Sequence, residues 1–155
     1  MHWITRERVR VGRIGCAWLI TRFIDRDAEL HFVPGAQLEA EAARLGATIF
    51  HEHGSELARK GDVSSFEAVL ARYDLTGDPA LVLLGQIVNT ADIKTSPYRR
   101  PEGAGLKAVT DGLLVLHEDD RALCEAGFRV YDALYAYCEE QIRLGRGASP
   151  GHPPA

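Results

Sequence analysis

VGRIGCAWLITRFIDR, residues 11–26, is the stretch that decides how the chain begins to fold. Ile14, Ala17, Trp18, Ile20, Thr21 and Phe23 recur at helical spacing, which predicts an amphipathic helix over 14–25 with one strongly apolar face. Ahead of it, HWITRERV (2–9) reads as a strand running into Gly12. Behind it, ELHFV (29–33) reads as a second strand, turned by Pro34 and Gly35. AQLEAEAARL (36–45) has the pattern of a helix stopped by Gly46, after which ATIFH (47–51) returns as a strand. The first third is therefore a βαβ unit.

Farther out the pattern becomes helical. EHGSELARKGDV (52–63) is a polar loop, and Ser64 caps the helix that follows, with Glu67 three residues on completing a capping box. DPALVLLGQIVNTADI (78–93) opens on an Asp-Pro pair suited to a helix start. After the loop KTSPYRRPEG come two amphipathic helices over 105–118 and 120–144. The expected fold class is α+β, a small N-terminal βαβ sheet packed against a mainly helical C-terminal layer. It forms one domain over 1–144, followed by a disordered tail over 145–155.

Size and composition narrow the function. The 155 residues suit one globular domain, and no apolar run approaches the ~20 residues that span a bilayer. MHWITRERVRVG lacks the charged-then-apolar order of a secretory signal, so the expected compartment is the cytoplasm, with no membrane partner. Three cysteines, Cys16, Cys124 and Cys138, fit reduced thiols better than a disulfide framework. The net charge of −4 argues against broad nucleic-acid binding, which needs many phosphates neutralised. No P-loop, dinucleotide fingerprint or nucleophile elbow occurs, so no nucleotide cofactor is expected.

The charge is unevenly spread. Residues 1–26 carry six arginines against Glu7 and Asp25, a balance of +4, whereas 27–155 carry 12 basic against 20 acidic residues, a balance of −8. Guanidinium forks match oxyanions bidentately, so a cationic cluster in an acidic chain points to an anionic ligand or to ion pairs across the protein. Cys16, expected in the first turn of its helix beside Arg13, would be a candidate reactive thiolate, alongside its reading as a small buried hydrophobe. Arg6, Arg13 and Arg22 are the candidate anion-binding residues, with Trp18 walling the site from water.

A second constellation is HEHGSE (51–56). His51 and His53 alternate on a strand end so that both imidazoles point to one side, and Glu56 follows in the loop. With Asp92 brought in from a later helix, these make an N/O-rich set suited to zinc, iron, nickel or manganese. A solvated polar loop is the alternative. Glu56 and Cys16 are the candidate catalytic groups, and Asp92 shares with Glu56 the role of ligand or general base. Asp119 and Asp120 read as cap and first-turn charges. Tyr131, Leu134, Tyr135 and Cys138 recur at intervals that suit either the core or the interface of a homodimer.

Taken together, WITRERVRVGRIGCAWLITRFID, GSELARKGDVSSFEAVLARYDL, IVNTADIK, RPEGAGLKAVTDGL and FRVYDALYAYC resemble the chromate-resistance proteins of the ChrB type, in their C-terminal or stand-alone domain. The resemblance covers nearly the whole chain. It implies a part in resistance to, or sensing of, chromate or a related metal or oxidative stress. One segment departs from that family's pattern: Asn89 and Thr90 stand where the resemblance leads one to expect a histidine and an aspartate, while Asp92 is retained. The expected function is binding of a small oxyanion or a transition metal in a stress response, with redox or hydrolytic chemistry left open. The alternative is a regulatory or interaction protein, a homodimeric sensor without catalysis.

Overall fold

The computed structural model describes residues 1–147. Three parallel strands, β1 (His2–Arg6), β2 (Glu29–Val33) and β3 (Thr48–Ile49), form a sheet in the order β2-β1-β3. Between β1 and β2 runs α1 (Val11–Leu19), and between β2 and β3 runs α2 (Leu38–Leu45). The alternation of β1 sorts these helices onto its two faces. Ile4 packs with Leu38 and Ala42 of α2, whereas Trp3 joins the main core with α1. The first crossover returns on one side of β1 and the second on the other. In open parallel sheets that reversal opens a crevice outside the carboxyl ends of the strands.

The helix over 11–26 starts three residues earlier than its apolar period predicts, passing through Gly12 and Gly15. These glycines cost helix propensity but are required by packing. A Cβ on Gly15 would lie 2.8 Å from the Tyr131 hydroxyl, and one on Gly12 would lie 2.3 Å from the His51 ring. Beyond Leu19 the helix widens into a π-type turn over Ile20–Ile24, where the Asp25 amide donates to the Ile20 carbonyl at 2.8 Å. Asp25 then accepts from the Trp3 indole at 2.9 Å, tying the helix end back to β1.

The helical layer comprises α3 (Ser65–Arg72), α4 (Pro79–Asp92), α5 (Pro101–Leu116) and α6 (Asp120–Arg143). The expected capping box is present: Glu67 donates its amide to Ser64 Oγ and returns its carboxylate to the Ser64 amide at 2.8 Å. Helix α4 is buried along most of its length and packs on α1, α3, α5 and α6, so it forms the centre of the core. Helix α5 begins at Pro101, inside the segment that reads as loop, because proline fits the first helical position. Of the spaced residues on α6, Tyr131 and Cys138 are buried and Leu134 and Tyr135 pack partly buried against the core, while the exposed apolar residues of this layer include Val115 and Leu116 at the end of α5. All three cysteines are buried and free. The tail expected over 145–155 lies, from 148 onward, outside the described residues. Among the described residues no helix is long and apolar enough to cross a membrane.

Candidate functional site

At the carboxyl ends of β1 and β3 the chain leaves a cleft of about 230 Å³, bordered by Arg6, Arg13, His51, Glu52, Arg59 and Ser65 among others. It occupies the side of the sheet that the strand order singles out, and each element contributes by its local geometry. Arg6 is the last residue of β1, Arg13 stands in the first turn of α1, and His51 and Glu52 follow β3. His51 has a left-handed backbone, φ +52°, which costs a non-glycine residue energy and is often found where a side chain must be aimed. Its amide donates to the Leu57 carbonyl at 3.3 Å, folding the loop back on itself.

Glu52 holds the two arginines together. Its Oε2 accepts from Arg6 Nε at 2.7 Å and from Arg13 Nη2 at 3.4 Å, and Arg13 Nε also donates to Thr5 Oγ1 at 3.2 Å. Arg13 is 16% exposed, and desolvation together with the like charge of Arg6 lowers its pKa, against the opposing pull of Glu52. Arg59 donates to the Gly61 carbonyl at 3.0 Å. Among the residues lining the cleft, three guanidiniums stand against one carboxylate, an excess of two positive groups over the one acid. Ser65 is buried at 1% exposure, and its hydroxyl has no hydrogen-bond partner although it borders the cleft. A buried hydroxyl without a partner is costly, and here it sits at the first residue of α3, directly after the Ser64 cap.

Behind the cleft lies a second layer. Cys16 Sγ is 3.7 Å from His51 Nδ1, and a Cβ on Gly12 would touch both the His51 ring and Asp92 Oδ2, at 2.3 and 2.5 Å. Cys16 is the sixth residue of α1, not in its first turn, and fully buried. Burial and the charge of Asp92 push its thiol well above the ordinary range, an environment that suits the reading of Cys16 as a small buried hydrophobe. Burial, with the guanidiniums of Arg13 and Arg6, lowers His51 to about 3. The pair is thus a neutral thiol against a neutral imidazole. Burial also raises the Asp92 carboxyl, a rise that Arg59 and Arg13 counteract.

The sequence candidates divide into two groups. Arg6, Arg13, His51 and His53 border the cleft, with Cys16 and Asp92 behind His51. Glu56, Arg22 and Trp18 lie elsewhere. Glu56 is 75% exposed and pairs with Arg72 at 3.3 Å. Trp18 and Arg22 both donate to Asp132 on α6, at 2.7 Å from the indole and 3.1 Å from each of two guanidinium nitrogens. Asp92, His51, His53 and Glu56 do not converge as a set of ligand atoms among the described residues.

Three cleft residues escaped the sequence reading. Glu52 sat inside the quoted HEHGSE motif, and its place between two histidines was the available signal. Arg59 and Ser65 carried none, since one looks like a surface arginine and the other like a residue of a capping segment. Asn89 and Thr90 are committed to structure. Asn89 donates to the Asp62 carbonyl and to Glu67, both at 2.7 Å, and accepts from Ser96 at 2.6 Å. Thr90 Oγ1 accepts from the Arg100 amide at 3.3 Å.

Residues 3–138 match the family model described as ChrB, C-terminal domain. The chain is similar to Protein ChrB of Cupriavidus metallidurans, 37% identical over 137 residues, which is 88% of this chain and 40% of that protein. The chain thus spans less than half the length of this relative. No solved structure matches it.

Proposed function

The chain belongs to the family of the ChrB C-terminal domain, and on that footing we propose that it takes part in chromate resistance by binding a small tetrahedral oxyanion in the arginine cleft. The observation that carries this reading is the Ser65 hydroxyl, buried without a partner on the wall of a cleft that three guanidiniums border. A dianion seated there would take the hydroxyl as a donor and match the excess of guanidinium over carboxylate among the lining side chains. Glu52 then acts as the resident counter-ion. It holds Arg6 and Arg13 in place while the cleft is free and shares them with the ligand when it fills. Since the Cys16 thiol is buried and protonated, the reading is one of binding, not thiolate chemistry.

Calorimetric titration with chromate and with sulfate tests it. The native protein is expected to bind one equivalent, and Arg13→Gln and Ser65→Ala each to weaken binding about tenfold, the loss of one charge-assisted hydrogen bond. Absence of saturable binding at millimolar anion, or affinity unchanged in both variants, overturns the proposal.

A further inference from the structure

A different chelating cluster lies at the opposite end of β1. His2 and Glu29 face each other in the β1–β2 register, and His31 is two residues along β2 from Glu29, so all three side chains stand on one face of the sheet. This is the face that carries Ile4 and Arg6. His2 is four residues from Arg6, about 13 Å along the strand, so the cluster is separate from the arginine cleft. His2 Nδ1 lies 3.0 Å from His31 Nε2 and 3.4 Å from Glu29 Oε2. One ligand atom from each residue falls within 4.8 Å of the others, and this is the group of three found among the described residues.

Those spacings match the edges of a coordination polyhedron. With metal–nitrogen bonds near 2.05 Å, two ligand atoms are separated by about 2.9 Å at a right angle and about 3.3 Å at the tetrahedral angle. Two imidazole nitrogens held at 3.0 Å, with a carboxylate oxygen at 3.4 Å, therefore sit near the separation that a shared ion would impose. Arg44 and Arg121 lie near enough to His31 to oppose a cation, and Glu29 supplies the compensating charge. The partial exposure of His2 and Glu29 leaves room for water to complete the coordination.

We propose that His2, Glu29 and His31 form a binding site for a divalent transition-metal ion of the zinc class, held by two imidazoles and one carboxylate from adjacent parallel strands. Imidazole with carboxylate favours zinc, cobalt, nickel or copper over the hard cations magnesium and calcium.

The test is equilibrium dialysis of metal-free protein against Zn²⁺, with the visible spectrum of the Co²⁺ form as a second readout of coordination. One equivalent is expected. Affinity should fall about tenfold or more in His31→Ala and in Glu29→Gln, because losing a ligand costs at least as much as losing its supporting partner. Arg13→Gln and His53→Ala, which alter the cleft, should bind Zn²⁺ as the native protein does, so this proposal and the oxyanion reading fail independently. Circular dichroism confirms that each variant is folded. Stoichiometric binding that survives His31→Ala, as capture by the amino terminus with His2 would, overturns the proposal. So does absence of binding, or binding lost only in His53→Ala.

Discussion

At the scale of single residues, the cleft is built from groups that the folded chain keeps under tension. His51 is neutral in the folded protein down to about pH 3, against an ordinary value of 6.5. Between those values the unfolded chain binds a proton that the folded chain does not. His51 therefore contributes stability that is complete above pH 6.5 and is lost as pH falls, with a slope of up to ~1.4 kcal/mol per unit. The raised Asp92 carboxyl works in the opposite sense, since it favours the folded state as pH drops through its own titration. Urea midpoints measured against pH should accordingly flatten below pH 6.5 in His51→Asn. Ser65→Ala separates stability from binding: removing an unpartnered buried hydroxyl should leave stability unchanged or raise it by up to about 1 kcal/mol while anion affinity falls. A drop in stability would mean that the hydroxyl has a partner in solution.

At the scale of elements, close approach governs. Helices α1 and α6 meet through glycines on both: Gly15 against Tyr131, and Gly127, where a Cβ would lie 2.6 Å from Ile14 Cγ2. Tyr131 seals this contact by donating to the Val11 carbonyl at 2.6 Å. In an isolated helix Gly→Ala is worth about 1 kcal/mol of stabilisation, but overpacking a core costs about 1–3 kcal/mol. Gly127→Ala should therefore lower the thermal midpoint despite its better helix propensity; a rise would show that the helices can separate without loss. The turn from β1 to α1 depends on α6 in the same way. Asp120 accepts from the Arg8 and Val9 amides at 2.9 and 2.8 Å, and Arg8 sits at φ +59° with its guanidinium on the Leu114, His117 and Glu118 carbonyls. Asp120→Ala leaves two amides unpaired and should cost about 2–4 kcal/mol in chemical denaturation, far more than loss of a first-turn charge alone.

At the scale of the molecule, the strand order gives the cleft its place. The chain leaves β1 toward α1 and leaves the end of β3 through the loop that leads to α3, and the cleft lies where these two exits stand side by side at the carboxyl edge of the sheet. The arginines collected there derive from segments that are distant in sequence, Arg6 and Arg13 from the start and Arg59 from the mid-chain loop. An anion bound only by the folded cleft should raise the thermal midpoint with the logarithm of its concentration. Sulfate should stabilise the native protein more than chloride does, and the difference should shrink in Arg13→Gln to the part that exclusion of sulfate from any protein surface supplies; a difference of the same size in both proteins would mean that the cleft has no preference.

The element order and the α+β class followed from the sequence by itself, because apolar period and caps are local: the strand-like HWITRERV, the helical recurrence after Gly12, the Ser64–Glu67 box and the Asp78-Pro79 start each act within a few residues. The positive charge of the first 26 residues was legible in the same way. Which arginines face a common cleft was not. Arg13 and Arg22 look alike on one helix, yet lie nine residues apart, and the π-type turn sends Arg22 to Asp132 while Arg13 turns to Glu52. Only tertiary packing places Cys16 too deep to ionise, draws Asp92 to Gly12, and leaves the Ser65 hydroxyl unpaired. The physical reason is range. Hydrogen-bonded turns and amphipathic faces are decided by neighbours along the chain, whereas desolvation and charge pairing are decided by whatever the folded chain brings within a few ångströms.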